Sequence, residues 1–253
     1  MKIVTYNLRC VWDGDGINGF IHRMGMTWDK INQEKPDIVC FQEVIPKTLE
    51  ALKYIMPEYI FAGQGRNHDC GGEGLYTAIR KDTVDLIGLD TFWISPEPHE
   101  PESKFTDQST YPRICVMTLL REKQSGLTFR IYNLHLDLIE AARLEGIKCV
   151  WNQVQQNNTK RYLPYVILGD FNATPDEKCI ALCKETGALY DVTESIAYTF
   201  HDFGRGVDDR PGSKLDYIFV SREFTDRVID VTVWEDNLNG IYLSDHYPVA
   251  VEI

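Results

Sequence analysis

The 253-residue chain is expected to be an α/β protein, and three features of its sequence say so. Short apolar runs rich in β-branched residues, such as Ile3-Val4-Thr5-Tyr6 and Val166-Ile167-Leu168, have the length and composition of buried strands. Between them lie stretches with helical spacing, above all residues 138–155, apolar at 138, 141, 142, 147, 150, 151 and 154. With 43% hydrophobic and 11% aromatic residues, the chain can bury one substantial core, so a single domain over 1–253 is expected.

One stretch organises the rest. In Val166-Ile167-Leu168-Gly169-Asp170-Phe171-Asn172 three apolar residues end a buried strand and Gly169 lets the chain turn. Asp170 and Asn172 follow at the strand's carboxyl end, the edge at which open α/β sheets bind ligands. Residues two apart on a strand end point the same way. Thr174-Pro175-Asp176-Glu177 then reads as a helix start, with Thr174 as N-cap and Glu177 closing a capping box. An Asx-turn with a loop asparagine would look the same in isolation, so the other strand ends decide.

From the amino terminus, residues 3–9 are strand-like and end in Asn7-Leu8-Arg9, with Asn7 polar at the strand exit. A Gly/Asp loop at 13–19 precedes a helix over 24–34, stopped before Pro36. Residues 37–41 form a second buried strand with Gln42 and Glu43 at its end. Glu43 either faces the same rim as Asp170 or caps the helix that starts near Pro46 and ends at Met56. Residues 59–61 are strand-like. The Gly-rich stretch 63–74 has GxGxxG-like fragments, but 75–79 alternate as a strand and not as a helix. It is therefore read as a mobile loop with Glu73 at the strand entrance, without a dinucleotide fingerprint.

Residues 84–94 read as a strand, and 95–111, rich in Pro, Glu and Ser, as an exposed excursion. Arg113 introduces a strand over 114–120 that pairs through a Gln124-Ser125-Gly126 turn with 127–136. The second strand of this hairpin ends in Asn133-Leu134-His135-Leu136-Asp137, which puts Asn133, His135 and Asp137 on one face. A lone His there is usually structural; with polar residues on either side it is read as functional. In the helix over 138–155, Glu140, Arg143, Glu145 and Lys148 read as a solvated face. Lys214 to Val220 form a strand with Asp216 inside an apolar run, where a carboxylate needs a partner. Residues 228–234 make a further strand, and Asp245-His246 precede the last one, 249–253.

A net charge of −12 argues against a broad basic surface for gripping long duplex nucleic acid. Attraction of a polyanion would have to be local to Arg9, Arg66, Arg113, Arg205, Arg210 and Lys214. Of the 7 cysteines no pair has zinc-site spacing near a His, and Cys10, Cys40 and Cys115 read as small buried hydrophobes. Without a signal peptide, a membrane-length apolar run or a lipidation motif, the reading is a cytoplasmic monomer with no membrane insertion. Asn7, Glu43, His135, Asp170, Asn172, Asp216, Asp245 and His246 form the candidate site. Hard oxygen ligands spread over several strands suit Mg²⁺, with Mn²⁺ as a substitute. Two imidazoles and spare carboxylates suit acid–base work. No Ser or Cys nucleophile with its own base stands out.

The blocks TYNLR, QE, NLHLD, GDFN, LDYIF and SDHYPV, in this order, resemble the endonuclease/exonuclease/phosphatase superfamily over nearly the whole chain. The superfamily includes pancreatic-type deoxyribonuclease, inositol-polyphosphate 5-phosphatases and neutral sphingomyelinases; compact bacterial members with a TFH block are the most similar. The resemblance implies a four-layer α/β sandwich of two mixed sheets with the site at one end. It implies Glu43 as the main metal ligand, with Asn7 beside it and Asp245 completing the metal side. Asp170 and Asn172 would position the attacking water and the phosphoryl oxygens. His246, oriented by Asp216, would be base or phosphate stabiliser. His135 would stabilise the developing charge or protonate the leaving group, with Glu73 as its partner and Asp137 in support. Arg113 and His201 would contact substrate. The first functional reading is a phosphodiesterase or nuclease acting on a short or single-stranded nucleic acid or a nucleotide. The second is a phosphatase or phosphodiesterase of a small molecule or lipid headgroup. A non-catalytic phosphate-binding module is disfavoured, because every block carries a chemically competent residue. Trp12, Trp93, Tyr198 and Phe200 could stack on a base or belong to the core.

Overall fold

The structure, a computed structural model, describes all 253 residues. In chain order its elements are β1 (Lys2–Asn7), α1 (Phe20–Glu34), β2 (Ile38–Val44), α2 (Pro46–Ile55), β3 (Tyr59–Gly65), β4 (Gly74–Arg80) and β5 (Val84–Trp93). Then come β6 (Ile114–Glu122), β7 (Thr128–His135), α3 (Glu140–Lys160), β8 (Tyr165–Asp170), α4 (Lys178–Glu185) and β9 (Tyr190–Asp191). The chain ends with β10 (Asp216–Val220), α5 (Arg222–Thr225), β11 (Asp230–Val233), β12 (Asn237–Leu238), β13 (Ile241–Tyr242) and β14 (Val249–Glu252).

Two mixed 6-stranded sheets carry the fold, in the orders β11-β14-β1-β2-β4-β3 and β5-β6-β7-β8-β10-β9. Each central pair, β1 with β2 and β7 with β8, is parallel, so their carboxyl ends reach one rim. The strand faces explain the layering. Ile3, Ile38 and Cys40 from one sheet meet Ile131, Val166, Leu168 and Ile218 from the other in one apolar cluster between the sheets. The alternate residues Val4, Tyr6, Val39 and Phe41 pack outward against residues of α1 and α2. Tyr132, Leu134, Ile167 and Phe219 pack against α3 and α4. Three apolar interfaces thus hold four layers, α/β/β/α, as the period-2 patterning requires.

Several elements depart from the sequence reading. Helix α4 begins at Lys178, not at Thr174. Residues 174–177 instead close a turn, with Glu177 N donating to Thr174 O and Thr174 N to Glu177 Oε1, so the capping-box pair serves a loop. The stretch 63–74 is a hairpin connection, since β3 runs on to Gly65, which pairs with Gly74. Arg143 is buried, not solvated: it donates to Glu177 Oε2 at 2.6 and 2.9 Å and to Leu138 O at 2.7 Å, tying α3 to that turn. Lys214 is also buried, its Nζ on Asp191 Oδ2 at 3.1 Å and Thr193 O at 2.7 Å. No helix is long and apolar enough to cross a membrane.

Candidate active site

The faces that meet between the sheets are apolar along most of their length and turn polar at the shared rim. There Asn7 and Gln42 pair across β1 and β2, and His135, Asp170 and Asp216 form one cross-strand row over β7, β8 and β10. Glu43 would face the helices in a regular strand. Instead a register shift between Phe41 and Val44, with Glu43 at φ 60°, turns its side chain to the site. Gly169, at φ 140°, has no alternative residue: a Cβ there would lie 1.9 Å from Leu134 O.

A dense set of hydrogen bonds fixes these groups. Asn7 Nδ2 donates to Glu43 Oε1 at 3.0 Å and to Asp170 Oδ2 at 2.9 Å, while its Oδ1 accepts the Arg9 N–H. Glu43 Oε2 accepts the Cys10 N–H at 2.8 Å. Asn172 N donates to Asp170 Oδ1 at 2.7 Å, and Asn172 Nδ2 to Leu136 O at 3.0 Å. His246 Nδ1 donates to Asp216 Oδ2 at 2.8 Å, and the Thr199 hydroxyl donates to the same oxygen at 2.5 Å. Arg9 Nη1 lies 3.3 Å from Asp245 Oδ2. Asp170 Oδ2 stands 3.5 Å from His135 Nε2 and 3.7 Å from His246 Nε2, between the two imidazoles.

The electrostatics follow from burial and like charge. Burial lifts the Asp170 carboxyl to about 7 against the pull of His246, and the Asp216 carboxylate adds to the lift. Burial disfavours charge on His246, but Asp216 and Asp170 outweigh it and raise the imidazole to about 10. Burial, then the Arg113 guanidinium, hold His135 well below its ordinary value, so it is neutral. Burial raises Glu43, yet its net position is low. Since His135 is uncharged, that lowering rests on the Cys10 and Asn7 donors and on His246. Glu73 and Asp245 are both raised, chiefly by burial and with Glu43 adding to each.

A model of the Endonuclease/Exonuclease/phosphatase family matches residues 4–246. The chain belongs to that family. Among solved structures, it is similar to a mannosyl-6-phosphatase of Bacteroides thetaiotaomicron VPI-5482, with 28% identity, a TM-score of 0.89 and coverage of 100% of this chain and 98% of that one. It is equally similar to a functionally unknown protein of Enterococcus faecalis V583, at 27% identity, TM-score 0.87 and coverage of 100% and 98%. The D. rerio TDP2 complexed with a single-strand DNA product, at 19% identity, TM-score 0.74 and coverage of 99% and 97%, shares the fold. Members of the family are phosphoester hydrolases and are generally metal-dependent, so this chain is an enzyme of that class.

A cation fits the donor set of this family member. Ligand atoms of Glu43, His135 and Asp170 lie within 4.8 Å of one another, as do those of Asp170, Asp216 and His246. Burial raises the carboxyls of Asp170, Asp245 and Glu73, with Asp216 adding to the first and Glu43 to the other two, a like charge that a divalent ion would offset, and buried His135 Nδ1 has no partner. Other expected site residues sit differently. Glu73 is 3.8 Å from His135 Nδ1, beyond hydrogen-bond reach, and instead accepts from Arg66 Nη1 at 2.9 Å. Asp137 lies beyond the end of β7; it accepts from Ser109 N and Ile139 N, with Arg113 Nε at 3.5 Å, and so docks the 95–113 excursion. His201 is buried, accepts the Gly204 N–H on Nδ1 and stacks on Tyr247 at 3.7 Å, and its Nε2 has no hydrogen-bond partner. Thr199 and Arg9 were missed as site residues. An Asp in an apolar strand signals the need for a donor such as Thr199, but nothing in the sequence says which residue provides it.

Proposed function

We propose that this protein is a Mg²⁺-dependent phosphoester hydrolase acting on a small phosphorylated molecule rather than on a long nucleic acid. The observation that carries the substrate class is the pairing of the six cations singled out in the sequence as places where a polyanion could be held. Arg9 pairs with Asp15 at 3.2 Å and Asp245 at 3.3 Å, Arg66 with Glu73 at 2.9 Å, and Arg113 with Asp137 at 3.5 Å. Arg205 pairs with Asp202 at 2.5 Å, Arg210 with Asp208 at 3.8 Å, and Lys214 with Asp191 at 3.1 Å. Cations already matched by neighbouring carboxylates release few counterions on meeting a polyphosphate. The 28% identical mannosyl-6-phosphatase supports a small substrate.

In this reading Glu43 and Asp245 hold the cation, and Asn7 keeps Glu43 and Asp170 in place beside it. When bound, Mg²⁺ supplies Lewis-acid stabilisation of charge on the phosphoryl oxygens. His246, with Nδ1 committed to Asp216, offers its Nε2–H as a charged donor to a phosphoryl oxygen. Asp170, with a carboxyl near 7, is matched to take the proton of the attacking water at neutral pH. Asn172, whose Nδ2 is spent on Leu136 O, orients that water through Oδ1. Neutral His135 donates to the leaving oxygen, and Arg113 beside it contacts the phosphate. The test is a substrate panel with Mg²⁺: sugar phosphates, nucleotides, inositol phosphates, sphingomyelin and single-stranded oligonucleotides. Small esters are expected to have the highest kcat/KM; oligonucleotides ranking first would reverse the assignment.

A further inference from the structure

Arg23, near the start of α1, is fully buried, and every hydrogen bond of its guanidinium goes to a backbone carbonyl. Nε donates to Asn18 O at 2.5 Å, Nη1 to Leu8 O at 2.9 Å and Leu243 O at 2.6 Å, and Nη2 to Arg9 O at 3.4 Å. The Phe20 and Phe203 rings flank it, their centroids 5.6 and 5.9 Å from Cζ. A charge this deep that meets dipoles and no counter-charge is costlier to bury than an apolar side chain of its volume. What it supplies is a joint between three segments: the chain leaving β1, the loop before α1 and the approach to Asp245.

The bonds on the chain leaving β1 reach the site through two peptide units. In a trans unit the C=O and the N–H point in opposite directions. Leu8 O faces Arg23, so the Arg9 N–H of the same unit faces Asn7 Oδ1, at 2.9 Å. Arg9 O faces Arg23 as well, so the Cys10 N–H faces Glu43 Oε2, at 2.8 Å. The left-handed turn at Arg9, φ 60°, brings two successive carbonyls to one guanidinium. With its Oδ1 taken, Asn7 presents Nδ2 to Glu43 and Asp170. Leu243 O, which also accepts from the Tyr6 hydroxyl at 2.9 Å, lies two residues before Asp245.

We propose that Arg23 is the positioning residue that sets the cation side of the site before a cation binds. It acts through the Arg9 and Cys10 amides on Asn7 and Glu43, and through Leu243 on the segment that delivers Asp245. The proposal rests on the reading of Glu43 and Asp245 as cation ligands and adds what aims them. The fork of the guanidinium is essential to it, because three of its nitrogens serve three different segments.

The experiment combines amide hydrogen exchange with calorimetric titration of the full chain by Mg²⁺. In metal-free wild type the Arg9 and Cys10 amides should exchange as slowly as those of β1. Protection that appears only when Mg²⁺ is added would mean that the ion organises the segment, and would overturn the proposal even if no Arg23 variant folds. Arg23→Lys keeps the charge and loses the fork. It should raise the Kd for Mg²⁺ about 10- to 100-fold, as loss of an outer partner of a metal ligand does, and should speed exchange of those two amides selectively. The control is Arg130→Lys, the same change in a buried arginine at the other end of β7, where it donates to Asn158 Oδ1 at 2.9 Å and Arg161 O at 3.1 Å. There the Mg²⁺ Kd and the two amides should stay as in wild type. An unchanged Mg²⁺ Kd in Arg23→Lys, or an equal loss in Arg130→Lys, refutes the assignment. If the wild type binds no Mg²⁺, the cation reading falls, and the exchange of the two amides in Arg23→Lys still decides whether the guanidinium holds them.

Discussion

Asp216→Asn tests how the rim is charged. One oxygen, Asp216 Oδ2, receives both the Thr199 hydroxyl at 2.5 Å and His246 Nδ1 at 2.8 Å, all within the buried interior. A His246 imidazole held at about 10 instead of 6.5 prefers its charged form by about 5 kcal/mol. Asp216 is the largest favourable influence and Asp170 the next, so the variant should lose about 3 kcal/mol of that preference. Because the folded-state value is raised, this stability is fully present below 6.5 and is lost as pH rises towards about 10. Urea denaturation of metal-free protein should therefore show a wild-type advantage that is largest near pH 6 and closes by about pH 10. The alkaline limb of kcat/KM should move down by about two pH units in the variant, and the His246 ring resonances should titrate with it. A pH-independent stability gap, together with an unmoved alkaline limb, would refute the charged-imidazole mechanism.

Glu43→Ala should lower kcat/KM by at least about 10³-fold, and Mg²⁺ should raise the Tm of the wild type but not of the variant. Chelation should abolish wild-type activity and Mg²⁺ restore it; full activity after exhaustive chelation contradicts the assignment. Arg143→Ala should cost about 3 kcal/mol in urea denaturation, since it leaves Glu177 and the Leu138 carbonyl without their donor. In a salt series on the best substrate, the log–log slope of binding should have a magnitude below about 3, against about 5 to 9 for proteins that grip many phosphates. A steeper slope would mean that the paired arginines release their carboxylates to form a basic track.

The sandwich was legible because strand faces alternate and the charged and amide residues on the inter-sheet face gather at the strand ends. Asn7, His135, Asp170 and Asp216 stand on the inter-sheet face, continuing rows that begin with Ile3, Ile131, Leu168 and Ile218. Glu43 was legible as a rim residue but not in its mode of arrival, because a bulge at a non-glycine φ of 60° has no composition cue. Thr174 and Glu177 carry the capping-box spacing, yet only the Thr174 N to Glu177 Oε1 bond of the box forms and it closes a turn, so local chemistry did not fix where α4 begins. Arg143 and Lys214 look solvated in sequence because their partners, Glu177 and Asp191, lie 34 and 23 residues away. His201 sits in the TFH block, where its burial on Tyr247 and its bond to the Gly204 N–H have no cue in the sequence.

The site also stores backbone strain and buried charge, and the charge is measurable. Arg9, Glu43 and Asn172 all hold left-handed backbone conformations, at φ 60°, 60° and 49°, around a cluster of buried carboxylates. Asp170 is the sharpest case. Its carboxyl is lifted from 3.8 to about 7, so the folded state binds that proton more tightly than the unfolded chain. Stability is therefore lost as pH rises from 3.8 through about 7, by about 4 kcal/mol at most. The His246 window, from 6.5 to about 10, runs in the same direction and takes over where that of Asp170 ends. Metal-free protein should lose stability steadily across this whole range. A divalent cation held by Glu43 and Asp245 beside Asp170 favours the ionised carboxylates, so the Mg²⁺-induced rise in Tm should be larger at about pH 8 than at about pH 5. Competition between protons and Mg²⁺ for the ligands acts in the same sense, so the control is Asp170→Asn, which keeps Glu43 and Asp245 but has no proton to lose at position 170. In that variant the pH dependence of metal-free stability between about 4 and 7 should flatten. If it keeps the wild-type slope there, burial of Asp170 is not the source of the acid-side stability, and its role as the near-neutral base falls with it.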